Sequence, residues 1–599
     1  MSHFSLNWTL RLKLRRQRQR YQAPTLALLL VTSVLMQPGC FTGFGGQDYY
    51  GRIVVPRSQN FRWSNGGLPQ TFDPAYAVAP PDTDLIRAIF EGLTDYDPRT
   101  LAPIPGVATR WEPSDDGQTW TFYLRPNARW SNGEPVTALD FVRSWQRTVR
   151  IGELAPHTDL MSNIVGVKAQ LSPTNRTGSG SPKPDAMSIP QGMPEADQSF
   201  GATAISEHVL EVRLERPDMS FPSLVSHPVF RPVKLPDKEP TTQRLDPEEV
   251  ISNGAFALAS REEDEVLLER ADYYWDKSAV NLNRVHFVGA RNAEEALAAY
   301  REGEVDALTN AAFEPLAIKL LTPYKDFRRE TYGALNYYSF NVRKAPFDDV
   351  RVREAMALAI DRERISQDNL AGSTEPAKRF LPDAMTVYRE PVVAKSELLE
   401  KDIARAMELL AEAGFPDGEG FPTVRLLINR NEQQRLVARS IAGMWRSNLN
   451  IETEIIIKNW DEYEAAIRAG DYDLVRRGVV MQTTDELTNM RMIFRHEDPA
   501  MQSGGNQQGS IGIERLGERK VPGLVEIESE AQALNELRGM PIYFASSSSL
   551  VKPYVRGFDT NVFDAPSLKH VRIETNWKPS GSSRSPTATW FRRNHEATE

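Results

Sequence analysis

The stretch VRLLINRNEQQRLVARSIAGMWRSNLNIETEIIIK (424–458) decides the fold. Its ends, VRLLIN and IETEIIIK, are short runs rich in β-branched residues and read as strands, whereas QQRLVARSIAGMWRSNL between them reads as a helix. Strand, helix and strand in succession are the signature of a mostly parallel α/β lobe. The pattern extends on the N-terminal side. YYSFNV (337–342) begins the region, VREAMALAIDRERI (352–365) reads as one helix, and ARAMELLAEAG (404–414) as another that ends on Gly414.

A first region precedes it. Helical spacing appears in DTDLIRAIFEGL (82–93). In GQTWTFYLRPNARW, Trp120, Phe122 and Leu124 alternate with polar or small neighbours between an Asp116-Gly117 turn and an Asn132-Gly133 turn, the pattern of a hairpin. Thr137 and Asp140 form a capping box that opens a helix through FVRSWQRTV. Residues 171–201 lack an apolar period and read as an exposed loop. Strands return at HVLEVRLE (208–215), EVLLER (265–270) and RVHFVGA (284–290), and EEALAAYREGEVDAL (294–308) is a helix closing near Gly303 before a short strand. Pattern is lost again at 498–522 and after Pro579.

The N-terminus carries an address. Arg11, Lys13, Arg15, Arg16, Arg18 and Arg20 form a basic block without an acidic residue, followed by the apolar run PTLALLLVTSVLM (24–36). That run is shorter than the roughly 20 residues a bilayer span requires, so residues 1–39 read as a secretory signal. Cys40, the only cysteine, cannot form an internal disulfide or a cysteine-based metal site. Without residues 1–39 the chain has 65 Lys+Arg against 80 Asp+Glu, a formal charge of −15. So acidic a body is a poor match for nucleic acid, which demands a basic footprint. Its length implies more than one domain or one very large one.

No catalytic constellation accompanies this body. The eight histidines are scattered singly, and the sequence has no G-x-S-x-G elbow, no phosphate loop and no dinucleotide fingerprint. Adjacent acids such as Asp115-Asp116, Glu262-Glu263 and Asp348-Asp349 read as solvated turns, so no enzyme, metal or cofactor is expected. Trp63, Trp111, Trp120, Trp130 and Trp145 crowd the first region and read as core or cleft-wall residues. An exported, lobed chain without catalytic machinery points to binding.

Several blocks together carry a family resemblance. RWSNGGLPQTFDP (62–74), FEGLTDYDP (90–98), WEPSDDGQTWTFYLR (111–125), RWSNGEPVTALDFVRSWQR (129–147), ISNGAFAL (251–258), NVRKAPFDDVRVREAMALAIDRERI (341–365) and MPIYF (540–544) resemble the family 5 extracellular solute-binding proteins, the oligopeptide- and dipeptide-binding components of ABC importers. The resemblance implies an α/β, two-lobed clamshell of the periplasmic-binding-protein type (type II, large peptide-binding subclass) with an extra subdomain on the first lobe. The partition expected is a signal at 1–39, a tether at 40–58, lobe I at 59–92, 204–336 and 541–579, the extra subdomain at 93–203, lobe II at 337–540 and a disordered tail at 580–599. Hinge crossings are expected near 336–341 and 540–544, with Asn341, Pro541 and Tyr543 as hinge residues. Cys40 resembles the lipidated cysteine of bacterial lipoproteins, although Gln37 stands where leucine is usual.

Two segments are expected at the ligand. In oligopeptide binders of this family a stretch R-x-G-W-x-A-D-Y lines the second lobe, its aspartate pairing with the peptide ammonium and its backbone bonding the peptide as an added strand. Here RRGVVMQTTDEL (476–487) has Val479, Gln482 and Thr483 in place of Trp, Asp and Tyr. Gly478, Val480, Gln482, Thr483 and Asp485 are the ligand candidates on this side, and Val78 and Pro80 of AYAVAPPDT (75–83) those on the other. The partners implied are a peptide or similar solute, an ABC permease and, through the lipid, the membrane, with the protein a monomer in the periplasm or at the cell surface. The alternatives are the same fold holding an oligosaccharide, metal chelate or opine, or a surface lipoprotein with no transport role.

Overall fold

The computed structural model describes residues 48–167, 200–235, 242–385, 398–494 and 526–579. Cys40, the signal, most of the 171–201 loop, 498–522 and the tail at 580–599 lie outside the described residues. In chain order the first-region strands are β1 (Asn60–Asn65), β2 (Thr94–Tyr96), β3 (Pro103–Pro105), β4 (Ala108–Pro113), β5 (Thr119–Leu124), β6 (Ala202–Ser206), β7 (Val209–Arg213), β8 (Phe256–Arg261), β9 (Glu265–Arg270), β10 (Arg284–Val288) and β11 (Ala307–Thr309). They continue with β12 (Phe327–Phe340), β13 (Thr374–Pro376), β14 (Val424–Asn429), β15 (Thr453–Lys458), β16 (Leu474–Val480) and β17 (Gly539–Val551).

Most of them join one mixed sheet in the order β15-β14-β16-β12-β17-β11-β1-β10-β9-β8, with β13 also on β17. The opening stretch behaves as its pattern dictates: β14 and β15 pair in parallel, crossed by the helix Glu432–Leu449, and β14 and β16 pair in parallel too. The mostly parallel reading of the second region stops there. β12 and β17 are antiparallel to each other, and β12 is antiparallel to β16. Both are long strands that pass from one half of the sheet to the other, so neither needs the helical crossover that makes neighbours parallel.

Two main cores flank this passage. One gathers Phe61, Trp63, Trp130, Trp145 and Phe287 of the first region, and the other gathers Tyr338, Met356, Ile441 and Trp445 of the second. Of the five early tryptophans four are buried and Trp111 packs partly buried on the same core. The buried indole N–H groups find partners: Trp63 donates to Thr309 Oγ1 at 2.8 Å, Trp120 to Asp218 O at 3.0 Å, Trp130 to Asp140 Oδ2 at 3.4 Å and Trp145 to Phe230 O at 2.8 Å. The helix Ala138–Ile151 begins on the expected capping box, with Thr137 and Asp140 each accepting from the other's backbone N–H.

Several boundaries shift. The limits expected at 336/337 and 540/541 fall inside β12 and β17, because these strands are continuous across them. The extra subdomain does not end at 203: β4, β5, β7 and β6 form one four-stranded sheet that reaches Arg213. The expected tether is already docked by Tyr50, whose N–H donates to Asp326 Oδ1 at 2.8 Å and whose ring packs on Tyr300 and Tyr324. The single helix expected over 352–365 is broken. Val350–Leu358 ends, and Asp361 then caps a new turn by accepting from Arg364 N at 2.9 Å. Arg362, fully buried in that break, donates to the carbonyls of Pro541 (2.8 Å), Ala357 (3.1 Å) and Leu399 (3.2 Å).

Candidate ligand-binding site

β16 pairs with β12 along its whole length, from Phe340↔Leu474 to Ala334↔Val480. On its other edge β14 matches only Leu474 and Val475. From Arg476 to Val480 that second edge therefore has no strand partner among the described residues, although the Tyr463 hydroxyl caps the Arg476 carbonyl. Gly478, exposed, and Val480, half-buried, lie on this stretch. An edge of this kind can take a further strand, with alternate backbone groups supplying the hydrogen bonds.

At its end the chain turns. Met481 N donates to Gly333 O at 2.8 Å, and Thr483, fully buried, accepts from Asp485 N on its Oγ1 (3.1 Å) and from Asn489 Nδ2 on its carbonyl (2.8 Å). The Asp485 carboxylate accepts from Thr488 N at 2.7 Å at the start of the helix Glu486–Phe494, where an acid suits the helix dipole. Thr483 and Asp485 thus build the turn, and their neighbours Gln482 and Thr484 reach across. Thr484 Oγ1 lies 3.3 Å from Ser223 Oγ, and Gln482 Oε1 lies 3.2 Å from His227 Nε2.

His227 continues the link into the first region. Its Nδ1 accepts from Val229 N at 3.2 Å, which assigns the ring proton to Nε2 and makes that nitrogen the donor to Gln482. The ring meets His157 edge-on, centroids 4.9 Å apart, and His157 Nε2 lies 2.9 Å from the carbonyl oxygen of Val78. Burial, then the charges of His157 and Arg87, hold the His227 pKa well below the ordinary histidine value, against the opposing bond from Gln482. Val78 and Gln482, which lie in separate segments, are therefore joined through two histidines. Pro80 stands beside Val78, half-buried, at the approach to the helix Asp82–Ile89.

The Val78 loop is anchored from behind by an ion pair. Asp73 accepts from Arg147 Nη1 at 3.0 Å and Nη2 at 2.5 Å, both side chains essentially without solvent contact. Asp84, also buried, bonds Asn65 Nδ2 (2.8 Å) and Arg87 Nη1 (3.2 Å); burial pushes its pKa up to about 7.

Of the hinge candidates, Pro541 and Tyr543 lie in β17 opposite Tyr337 and Asn336, while Asn341 lies outside the β12–β17 pairing. The β12–β17 ladder is irregular between Thr331 and Leu335 and again between Asn336 and Tyr337. Asn341 lies past the end of β12, its N–H on Asp473 O (2.8 Å) and its side chain on Tyr472 O (3.2 Å), which ties it to the second region. Pro541 is held by Arg362 on that same side, and Tyr543 accepts from Gln434 Nε2 at 3.0 Å. Among the described residues no group of three or more His, Cys, Asp or Glu is placed to hold a metal, and no helix is long and apolar enough to cross a membrane.

The profile of the bacterial extracellular solute-binding proteins, family 5 middle, matches residues 102–500. The chain belongs to this family. It is 30% identical over 507 residues to the periplasmic murein peptide-binding protein MppA of Escherichia coli, covering 82% of this chain and 89% of that one. It is 28% identical to the periplasmic oligopeptide-binding protein OppA of the same organism, over 84% of this chain and 91% of OppA. Among solved structures, the unliganded open form of MppA superposes with a TM-score of 0.69 at 26% identity, covering 87% of this chain and 98% of that one. Haemophilus influenzae OppA in complex with RPPGFSPFR gives 0.56 at 25% identity, over 87% and 100% of the two chains. The family 5 fold expected from the motifs is thus the fold observed. The family is one of extracellular solute-binding proteins.

His157, Ser223, His227 and Thr484 were missed by the sequence reading. His227 and Gln482 are 255 positions apart, and no local spacing connects them.

Proposed function

We propose that this protein captures peptides outside the cytoplasmic membrane and delivers them to an ABC permease, acting by binding alone. The observation that carries this reading is the open edge of β16 from Arg476 to Val480, which ends at the Gln482–His227–His157–Val78 contact between the two regions. A peptide added to that edge gains backbone hydrogen bonds whatever its side chains, while groups from both regions close on its end. Its binding then biases an open-closed equilibrium, and the permease reads the closed form. The names of the relatives MppA and OppA support the peptide class over a sugar, chelate or opine.

In this reading Gly478, Val480, Gln482, Val78 and Pro80 line the ligand, and the two lobes move about the irregular stretch of β12 and β17. The body works as a monomer in the periplasm, held to the membrane by lipid on Cys40; the basic block and the short apolar run ahead of that cysteine support the tether.

Thermal unfolding of the purified protein against a library of di- to pentapeptides tests the proposal. A ligand at about 100 times its Kd adds about 2.7 kcal/mol and raises the midpoint. A flat response to every peptide would refute it.

A further inference from the structure

The free edge of β16 is closed at both ends by side chains. Toward β12 the bonding residues are the odd-numbered ones: Asn341 N donates to Asp473 O at one end, and Met481 N donates to Gly333 O at the other, each at 2.8 Å. Backbone groups alternate in direction along a strand, so those of Arg476, Gly478 and Val480 turn to the opposite edge. The Tyr463 hydroxyl, which donates to Arg476 O from that side, fits the alternation.

The last parallel match to β14, Leu427 with Val475, takes up the Arg476 N–H. Tyr463, buried on the helix Trp460–Ala469 and stacked on Trp460, takes the Arg476 carbonyl. At the far end Gln482 Nε2 lies 3.4 Å from the carbonyl oxygen of Val480. Between these two stops Gly478 N–H, Gly478 C=O and Val480 N–H have no hydrogen-bond partner among the described residues.

A strand laid on those groups uses them up within three of its own residues, whichever way it runs. Antiparallel to β16, one ligand residue bonds Gly478 through both its N–H and its C=O, and the residue two before it accepts from Val480 N–H. A longer ligand would next seek the Arg476 carbonyl, which Tyr463 occupies. Parallel to β16, one residue accepts from Gly478 N–H, and the residue two after it donates to Gly478 O and accepts from Val480 N–H. The next acceptor would be the Val480 carbonyl, which Gln482 meets.

We infer that Tyr463 and Gln482 set the length of the ligand, so that a three-residue peptide makes every backbone bond this edge offers. This rests on the peptide reading above and narrows it to short peptides. A dipeptide forgoes one of the bonds, and a fourth or fifth residue finds its ladder partner already taken.

Competition measures the length dependence. The purified full chain is equilibrated with random-sequence peptides of two, three, four, five and six residues, equimolar by length, and the retained species are counted by mass spectrometry. Three residues are expected to be held over two by about two- to tenfold, the worth of one hydrogen bond, and four to six residues to stay within about twofold of three. A gain that continues through four and five residues, or equal retention of two and three, overturns the inference and leaves peptide capture standing. Retention of no peptide overturns the peptide reading and the inference with it. Tyr463→Phe and Gln482→Ala each uncap one carbonyl. One of them is expected to move the plateau from three residues to five: the first if the ligand runs antiparallel to β16, the second if it runs parallel. A plateau that stays at three in both variants, each folded by circular dichroism, refutes the role given to these side chains.

Discussion

Removing the Asp73 carboxylate should cost more stability than almost any other single change on the first-region side of the cleft. Its two oxygens accept four hydrogen bonds, from Arg147 Nη1 (3.0 Å), Arg147 Nη2 (2.5 Å), Ala75 N (3.1 Å) and Leu245 N (3.1 Å). Asp73→Ala leaves a guanidinium that is 1% exposed without its counter-charge, and two backbone donors without their acceptor. Breaking one side of a buried pair in this way costs about 3–5 kcal/mol. Urea unfolding followed by tryptophan fluorescence reads it directly, since Trp145 sits on the helix that carries Arg147. The midpoint should fall while the slope against urea stays unchanged. Arg147→Met alone leaves the carboxylate stranded and should cost a similar amount. The double variant Asp73→Ala/Arg147→Met removes both charges and should lose well under the sum of the two, because the singles are penalised for the charge each leaves behind. Since Asp73 also pins the loop that leads to Val78, the single variant should bind peptide more weakly even at temperatures where it is folded. A loss below about 1 kcal/mol for Asp73→Ala, or simple additivity in the double variant, would refute the reasoning.

Acid should loosen the contact between the regions. The folded pKa of His227 lies below its unfolded value of about 6.5, so the unfolded chain takes the proton first. Stability is then full above that pH and falls as the pH drops, by up to about 1.4 kcal/mol per unit. His227→Asn should flatten this limb in urea titrations between pH 5 and 7. Lys552, buried over the Tyr300 ring with its Nζ on Tyr50 O at 3.1 Å, has its pKa lowered from 10.5 to about 8. Between those values the unfolded chain holds the proton and the folded one sheds it, so stability should rise from about pH 8 to 10.5, and Lys552→Met should remove that rise. Cys40→Ser should move the protein from the membrane fraction to the soluble periplasmic fraction on cell fractionation; an unchanged distribution contradicts lipid attachment.

The parts legible in advance were those encoded by neighbours in sequence. Thr137 and Asp140 announce a helix start because the two bonds of a capping box join residues three apart. β14, the helix Glu432–Leu449 and β15 are legible because a parallel pair needs a crossover and the crossover is contiguous. The break at Asp361 was written in the same local code, an aspartate able to cap a new turn, but the unbroken apolar pattern around it masked the signal. Other features depend on residues far apart. β6 and β7 complete a sheet begun by β4 and β5 across a long insertion, so the limit at 203 followed composition where pairing decided. Asn341 was expected at a hinge because the family resemblance put a crossing near 336–341, yet its backbone and side chain bind Asp473 and Tyr472, contacts that only the assembled sheet creates. The site divides in the same way. The segments around Val78 and Gln482 were visible as motifs, while His157 and His227, which join them, carry no pattern of their own.

Native mass spectrometry of the protein isolated from the cells that make it, with no added ligand, tests the central claim most directly. The account predicts a one-to-one adduct that fragments as a peptide and is lost on unfolding. An adduct that contains no amino acid, retained through the same purification, would contradict it.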